Sequence, residues 1–327
     1  MNTNPFLKDG YLMPLASINN VIVPDAGFKP AKQLISANAV SMLVKRQLKR
    51  QQTPYTDDNF LNIFLQNTEA LTAVSEQAGK NLSLIFLALK NSAPQNRADR
   101  PEWTSAHWQF WNNHIENIIL GGGLVYGKFG RMVLFNINKH FDKLNTRPYN
   151  VSIANNPENL PLTGGATSLN GNGLVLDFGH SFVKRCSVKD GVLHTLPKIA
   201  VKHVQYGNAA DETTETAQNL DNFIQQTIMH TYDAYRLTEP SLNVAVVIAN
   251  YVANGKITNK AGYGKLSLLC NCYEEYLQNS ISQKISMPVN LKLIHDSTAA
   301  AMNFTTNENP RAAVLTLGTS IGVGFVS

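Results

Sequence analysis

The sequence predicts a mixed α/β protein of two lobes, and three observations carry that expectation. The chain has 327 residues, enough for two core-bearing domains of roughly 100–200 residues each. From Gly171 onward, short apolar runs alternate with amphipathic stretches, as strands alternating with helices do. Before about residue 170, short strands give way to long helical stretches, so the texture of the chain changes once, near its middle.

The elements follow in chain order. Gly10 to Pro24 carries apolar runs broken by turn residues and predicts one or two strands. Lys32 to Gln51 and Asn59 to Lys90 place apolar residues at three- and four-residue spacing. Leu61, Phe64 and Leu65, then Leu82, Ile85, Phe86 and Leu89, mark the buried stripe of the second helical stretch. Ser92 to Arg100 reads as a loop, and Pro101 opens a helix in which Trp108, Trp111 and Ile115 share a face. That face suits a core stripe better than a ligand platform. In the second half, Leu174 to Asp177, Phe182 to Val188 and His194 to Val204 read as three strands, with Asp190-Gly191 as a hairpin signal. Asp211 to Tyr235 is helical, with Thr213 or Asp211 as its cap. Asn243 to Val252 is a buried strand, Lys265 to Ile285 a helix, Asn290 to Ile294 a strand, Thr298 to Asn303 a short helix and Arg311 to Leu317 a strand. Three strands, a helix, a strand, a helix and a strand make the order of a ribonuclease-H-like lobe.

Composition narrows the function classes. Apolar residues make up 43% and charged residues 16%, which suits a folded globular enzyme rather than a disordered chain. No stretch approaches the ~20 apolar residues that span a bilayer, and the start MNTNPFLKDGY has no basic region before an apolar run. No membrane association and a cytoplasmic location are the expectation. The three cysteines, Cys186, Cys270 and Cys272, point to reduced thiols; Cys270 and Cys272 fall on different faces of the expected helix and lack the second pair a zinc site needs. A net charge of +5, from 28 basic and 23 acidic residues, suits phosphorylated ligands and is too small to argue for nucleic acid. The densest basic run, Lys45 to Arg50, reads as a solvated helix end without the interleaved aromatics of a nucleic-acid surface. Gly264-Lys265 is followed by Leu266 and fails the P-loop spacing.

Four segments carry the chemistry. In GLVLDFGHSFVK (173–184) an aspartate ends a strand, Gly179 makes a tight turn, and a hydroxyl and a lysine follow. Such a turn presents N–H groups to phosphate, while the carboxylate can hold magnesium through water. In VLTLGTSIGVGFV (314–326) an apolar strand runs into a glycine-rich turn with hydroxyl donors. In LIHDSTAAAMNF (293–304) a buried strand delivers Asp296 to a helix of small residues, where helix capping is the plain structural alternative. In NIILGGGLVYGKFG (117–130) a strand enters three glycines before a helix.

These segments resemble those of the superfamily of actin, heat-shock chaperones and sugar kinases. Asp177, Gly179, Ser181 and Lys184 match its first phosphate loop, D-x-G-x-[TS]-x-x-[KR], with His180 where sugar kinases commonly have glycine. Gly318, Thr319, Ser320 and Gly322 resemble the second phosphate loop, G-T-G-I-G-x-G, of the bacterial repressor and sugar-kinase family, with Ser320 in place of a glycine. Asp296 matches the general base of hexokinase-type N-D-x-x-x-A segments, with His295 replacing the asparagine. Gly121, Gly122 and Gly123 are similar to the adenosine-binding segment, and Gly164 lies in Pro161 to Ala166, similar to the P-L-x-G-A-A segment that closes it.

The order of these segments is rotated relative to the family, in which the phosphate loops come first. Joining residue 327 to residue 1 restores it, so the resemblance implies a circular permutation within one chain, or alternatively a fragment completed by a partner chain. The implied architecture is two ribonuclease-H-like lobes with a nucleotide cleft between them: residues 1–166 plus 311–327, and residues 171–310. The implied activity is ATP-dependent phosphoryl transfer to a hydroxylated small molecule, a sugar being the family expectation, with Mg2+ near Asp177 and Asp296 as base. Asn250, Asn254 and His295 are candidate substrate-binding residues, although the zinc motif and E-x-G-H segment of the bacterial repressor and sugar-kinase family are absent. Turn formation around Gly255 is the alternative for the two asparagines. A nucleotide-binding switch without phosphoryl transfer stays open, kept alive by His180, Ser320 and His295; homo-oligomerisation stays open too. A basic RNA-binding protein is the third, least supported, reading.

Overall fold

Nine strands of two sheets account for the longest β-rich apolar runs: β1 (Asn117–Gly121), β2 (Asn150–Ile153), β3 (Gly173–Phe178), β4 (Phe182–Lys189), β5 (Val192–Ala200), β6 (Leu242–Ile248), β7 (Val289–His295), β8 (Ala312–Leu317) and β9 (Ile321–Phe325). The computed structural model describes residues 4–92, 94–201, 212–235, 237, 239–260 and 262–326. The chain forms two units: Met1–Phe6, Leu15–Glu158 and Phe304–Ser327 make one, and Leu7–Pro14 with Asn159–Asn303 make the other.

In the second unit the five-stranded sheet has the order β7-β6-β3-β4-β5. β3, β4 and β5 form an antiparallel meander, while β6 lies parallel to β3 and β7 parallel to β6. The sheet is thus mixed, with an antiparallel hairpin edge and helices on both faces. Alternation along the strands divides the core into two faces. Leu174, Leu176, Phe178, Val244, Val246 and Ile248 face the helices Thr214–Tyr235 and Tyr273–Ile285, through Leu220, Ile224, Ile228, Leu277 and Ile281. Val175, Cys186, Ala245 and Val247 face Leu162 and Ala299 of the short helices Leu160–Thr167 and Asp296–Ala301.

In the first unit the sheet has the order β9-β8-β1-β2, with β8 and β9 antiparallel and β8, β1 and β2 parallel. The helices Ala37–Arg50, Thr68–Asn91 and Gly127–Lys143 belong to this unit. Gly79 brings two of them together: a Cβ there would stand 2.6 Å from Asn136 Cβ. Trp108, Trp111 and Ile115 are buried, as a core stripe requires.

Several boundaries differ from the sequence expectation. Residues 160–167 belong to the second unit, because Gly164 and Gly165 let their helix close onto Ala299 and onto Val175 and Val247. The stretch 59–90 is two helices, broken at Asn67, whose side chain accepts from Ala70 N at 2.9 Å and restarts the helix. Residues 94–99 form a short helix instead of a loop, and the helix expected from Pro101 starts at Ser105. The stretch expected as one helix from Lys265 is a 3₁₀ segment, Gly262–Leu268, followed by the helix Tyr273–Ile285. Cys270 and Cys272 therefore precede that helix rather than lying on its faces. Thr213 caps the helix Thr214–Tyr235 by accepting from Thr216 N at 3.2 Å; Asp211, and residues 202–204 of the expected third strand, lie outside the described residues. No helix among the described residues is long and apolar enough to cross a membrane.

Candidate active site

In the second unit, β3 carries Asp177 one residue before its end, and the turn Gly179–Ser181 leads straight into β4. The antiparallel register sets Asp177 directly opposite Lys184, so lysine Nζ reaches Asp177 Oδ2 at 3.4 Å. The carboxylate is buried and the lysine only partly so. Gly179 N donates to Phe182 O at 3.1 Å, and the buried Tyr263 hydroxyl donates to Gly179 O at 2.8 Å, so the turn is clamped from both sides. Tyr263 escaped the sequence reading; its only trace there is a tyrosine between two glycines. Ser181 is exposed at the turn.

β7 ends at His295, and Asp296 is the first residue of the following helix. Parallel pairing of β7 with β6, and of β6 with β3, sets the carboxyl ends of these three strands side by side. Burial pushes the Asp177 carboxyl above its ordinary 3.8; Lys184 works against that, and the charge of Asp296 adds to it. Burial raises Asp296 as well, opposed by His180, Ser297 and Lys184. Asp177, Asp296, Lys184 and His180 thus form one electrostatic group. About a quarter of the Asp296 side chain remains accessible. Its Oδ1 is 3.2 Å from His295 Nε2 and accepts from Ser297 Oγ at 3.0 Å. His295 stacks on Tyr251, with ring centroids 4.4 Å apart and 16° between planes, and burial depresses its pKa to about 3. The imidazole is therefore neutral around pH 7.

A buried carboxylate, Asp177, and a partly accessible one, Asp296, against one lysine leave negative charge that a divalent cation would satisfy. Among the described residues no cluster of three or more His, Cys, Asp and Glu could hold a metal by itself. That donor set fits magnesium, which keeps much of its water and takes one or two carboxylates plus phosphate oxygens.

In the first unit the glycine segments meet at the carboxyl ends of the parallel strands β8 and β1, where Thr316 pairs with Gly121. Gly122 has φ +90°, and a Cβ there would lie 2.3 Å from Leu317 O, so only glycine fits against β8. Its N–H donates to Pro157 O at 2.6 Å. Gly123 faces open space, as does Gly318. The turn Gly318–Ser320 is braced by backbone and one amide: Gly318 N donates to Ser320 O at 3.1 Å, and Ala37 N donates to Gly318 O at 2.7 Å. Asn19 grips Ile321, accepting its N–H at 2.9 Å and donating to its carbonyl at 3.0 Å. Thr319 is exposed, Ser320 half-buried, and Gly322 pairs with Thr316 inside the hairpin. Asn19 lay far from any motif in the sequence and carried no signal there.

The remaining sequence candidates fall elsewhere. Gly164 is buried in a helix contact, where a Cβ would lie 1.6 Å from Ala299 O; the structure gives it a packing role in the second unit. Asn254 (φ 50°) and Gly255 (φ 71°) form the left-handed turn between the short strands Val252–Ala253 and Lys256–Ile257. Turn chemistry thus accounts for Asn254. Asn250 is buried and donates to Asn259 O at 3.1 Å, bracing the loop beside Tyr251.

No protein-family model and no curated protein matches this chain. Among solved structures, the ethanolamine utilization protein EutJ from Carboxydothermus hydrogenoformans is similar at 9% identity and a TM-score of 0.35, over 66% of this chain and 72% of that one. Two Ppx/GppA structures from Aquifex aeolicus are similar at 10% and 11% identity, both with a TM-score of 0.24, over 48% and 47% of this chain. The chain spans about half the length of each, 51% and 52%. These likenesses extend over part of the backbone path.

Proposed function

We propose that this chain is an ATP-dependent phosphotransferase of the actin and sugar-kinase fold, with Asp296 as the general base toward a hydroxyl of a small acceptor, a sugar being the first class to try. The single observation that carries the reading is the grouping of Asp177, Lys184 and Asp296 at the carboxyl ends of three neighbouring strands. In open α/β sheets that edge is where ligands bind. Two further observations support it: the clamped turn Gly179–Ser181, and the glycine approach at Gly122.

In this reading the backbone N–H groups and hydroxyls of residues 179–181 receive phosphate oxygens in the second unit, and in the first unit the turn 318–320 and the segment Gly121 to Gly123 offer backbone that a ligand can approach closely. Asp177 would hold magnesium through water, an ion whose contribution is to neutralise phosphate charge. Lys184 works against the rise that burial imposes on the Asp177 pKa and adds positive charge for the transferred group. Asp296 accepts the acceptor hydroxyl's proton; its raised pKa makes it a stronger base than an ordinary carboxylate. Positioning and charge supply most of such catalysis.

We further propose that the segment order is a circular permutation within one chain. Each sheet contains an antiparallel hairpin followed outward by two parallel strands: β4-β3-β6-β7 in one and β9-β8-β1-β2 in the other. In the first of these the hairpin precedes the parallel strands along the chain; in the second it follows them. Phe6 stacks on Phe325 at 5.4 Å, so rejoining the chain there asks for a short connection only.

The deciding experiment is Asp296→Asn, assayed for ADP formation against a panel of sugars and other hydroxylated molecules. Turnover should drop by about 10²- to 10⁴-fold, while nucleotide affinity, measured by calorimetry, stays within a few fold. Nucleotide binding by the wild type with no turnover on any acceptor would instead support a switch protein.

A further inference from the structure

We infer that His295 and Thr298 are positioning residues that hold Asp296 Oδ1 and so set the orientation of the carboxylate that takes the acceptor's proton. The inference rests on the reading of Asp296 as the base, and one of its two residues, His295, stands where the resemblance has asparagine. His295 Nε2 lies 3.2 Å from Asp296 Oδ1, and His295 Nδ1 lies 3.2 Å from Thr298 Oγ1. An ionised carboxylate can only accept, so the proton of the neutral ring must sit on Nε2. Nδ1 is then an acceptor, and the Thr298 hydroxyl donates to it.

The chain of donors therefore runs one way, from Thr298 to His295 to Asp296. Ser297 Oγ donates to the same Oδ1 at 3.0 Å. Two donors on one oxygen fix the rotation of the carboxylate about its last torsion, which is otherwise broad. The stack of the imidazole on Tyr251, 4.4 Å between centroids, fixes the donor ring in turn. His295 is itself buried and sits at the junction of β7 and the helix Asp296–Ala301, so it cannot swing away as a surface histidine would. A substrate-contacting role for His295, the expectation from sequence, is replaced here by a role through Asp296.

Local geometry also explains why histidine is workable at this place. Its two nitrogens lie on opposite sides of the ring, so one side chain can accept from Thr298 one turn into the helix and donate to the residue next to it. Glutamine would place a single amide nitrogen near the Nε2 position and keep the donation while losing the second link.

Nitrogen-15 NMR of the full chain at neutral pH tests the arrangement without any assay of turnover. His295 should show a neutral ring protonated on Nε2, and Thr298→Val should leave the proton there, since the carboxylate sets the tautomer, while the Nδ1 resonance moves downfield as its hydrogen bond is lost. A wild-type ring that is protonated on Nδ1 or on both nitrogens would overturn the inference, as would an unmoved Nδ1 resonance in Thr298→Val. Kinetics supply the second readout. His295→Phe, which keeps an aromatic face for Tyr251, should lower kcat about tenfold or more with KM within about twofold, and His295→Gln should recover part of that loss. A rise in KM with kcat unchanged would make His295 a substrate contact and sink the positioning role. If the wild type turns over no acceptor, the phosphotransferase reading fails, while the tautomer result still decides whether His295 orients Asp296.

Discussion

The β3–β4 hairpin and the β8–β9 hairpin hold matching places in their two sheets, each followed outward by two parallel strands. Their contents differ. The first carries Asp177 and Lys184 face to face and lies in one electrostatic group with Asp296. The second turns through Gly318, Thr319 and Ser320 without a charged side chain, and is held by Asn19 and by the amide of Ala37. One scaffold thus carries two kinds of turn: one with an ion pair of side chains at its base, and one built from glycine and hydroxyl residues alone. The lesson is that pairing topology sets where a turn stands, and the side chains at the strand ends decide what it can do.

The sharpest way to break this contrast is to fill the close approach in the uncharged region. Gly122→Ala would push a methyl to within 2.3 Å of Leu317 O at a φ of +90°. We expect a loss of about 2–4 kcal/mol from overpacking and backbone strain, read from urea unfolding. A loss under 0.5 kcal/mol would show that the segment tolerates a side chain and that glycine is not required there. Asn19→Ala removes both grips on Ile321 and should cost about 1–3 kcal/mol, with Ile321 amide exchange speeding up more than that of Leu315. Equal protection at both positions would remove Asn19 as the brace.

Protonation sharpens the contrast next, because the second unit should carry its own pH dependence. The folded pKa of His295, about 3, lies below its ordinary 6.5, so its contribution to stability is present above 6.5 and is lost as pH falls toward 3. Asp177 and Asp296 have the opposite sign. Their folded values lie above the ordinary 3.8, so their contribution is present below it and is lost as pH rises through the folded values. His295→Phe should therefore lose less Tm than the wild type between about pH 6.5 and pH 4. Parallel Tm curves for the two proteins across that range would contradict the assignment.

The smallest expected effect belongs to the chain order itself. Moving residues 311–326 ahead of residue 4 through a short glycine-rich linker should change Tm by only a few degrees, since Phe6 and Phe325 already stack. Failure of that variant to fold, with the wild type folding under the same conditions, would count against permutation.

Much of this architecture was legible in advance because it rests on local pattern. The strands at 173–178, 242–248 and 289–295 are continuous or alternating apolar runs, and Asp177 and Asp296 stand where such runs end. The break at Asn67 was not legible, because a capping asparagine inside an apolar stripe reads like any other polar helix residue until its bond to Ala70 N is seen. Asn254 had turn chemistry beside it in Gly255, which is what its backbone obeys. Gly164 resembled a nucleotide contact by sequence, and became a packing residue only once Ala299 was found 1.6 Å from where a Cβ would stand.

By itself, the sequence determined the alternation of elements, the two glycine-rich turns and the two strand-end aspartates, since each is written within a few consecutive residues. Tertiary structure alone decided that Lys184 pairs with Asp177, that His295 Nε2 comes to lie 3.2 Å from Asp296 Oδ1, and that β8 and β9 join a sheet begun at residue 117. Strand pairing and burial set them, and neither leaves a mark in the spacing of neighbouring residues.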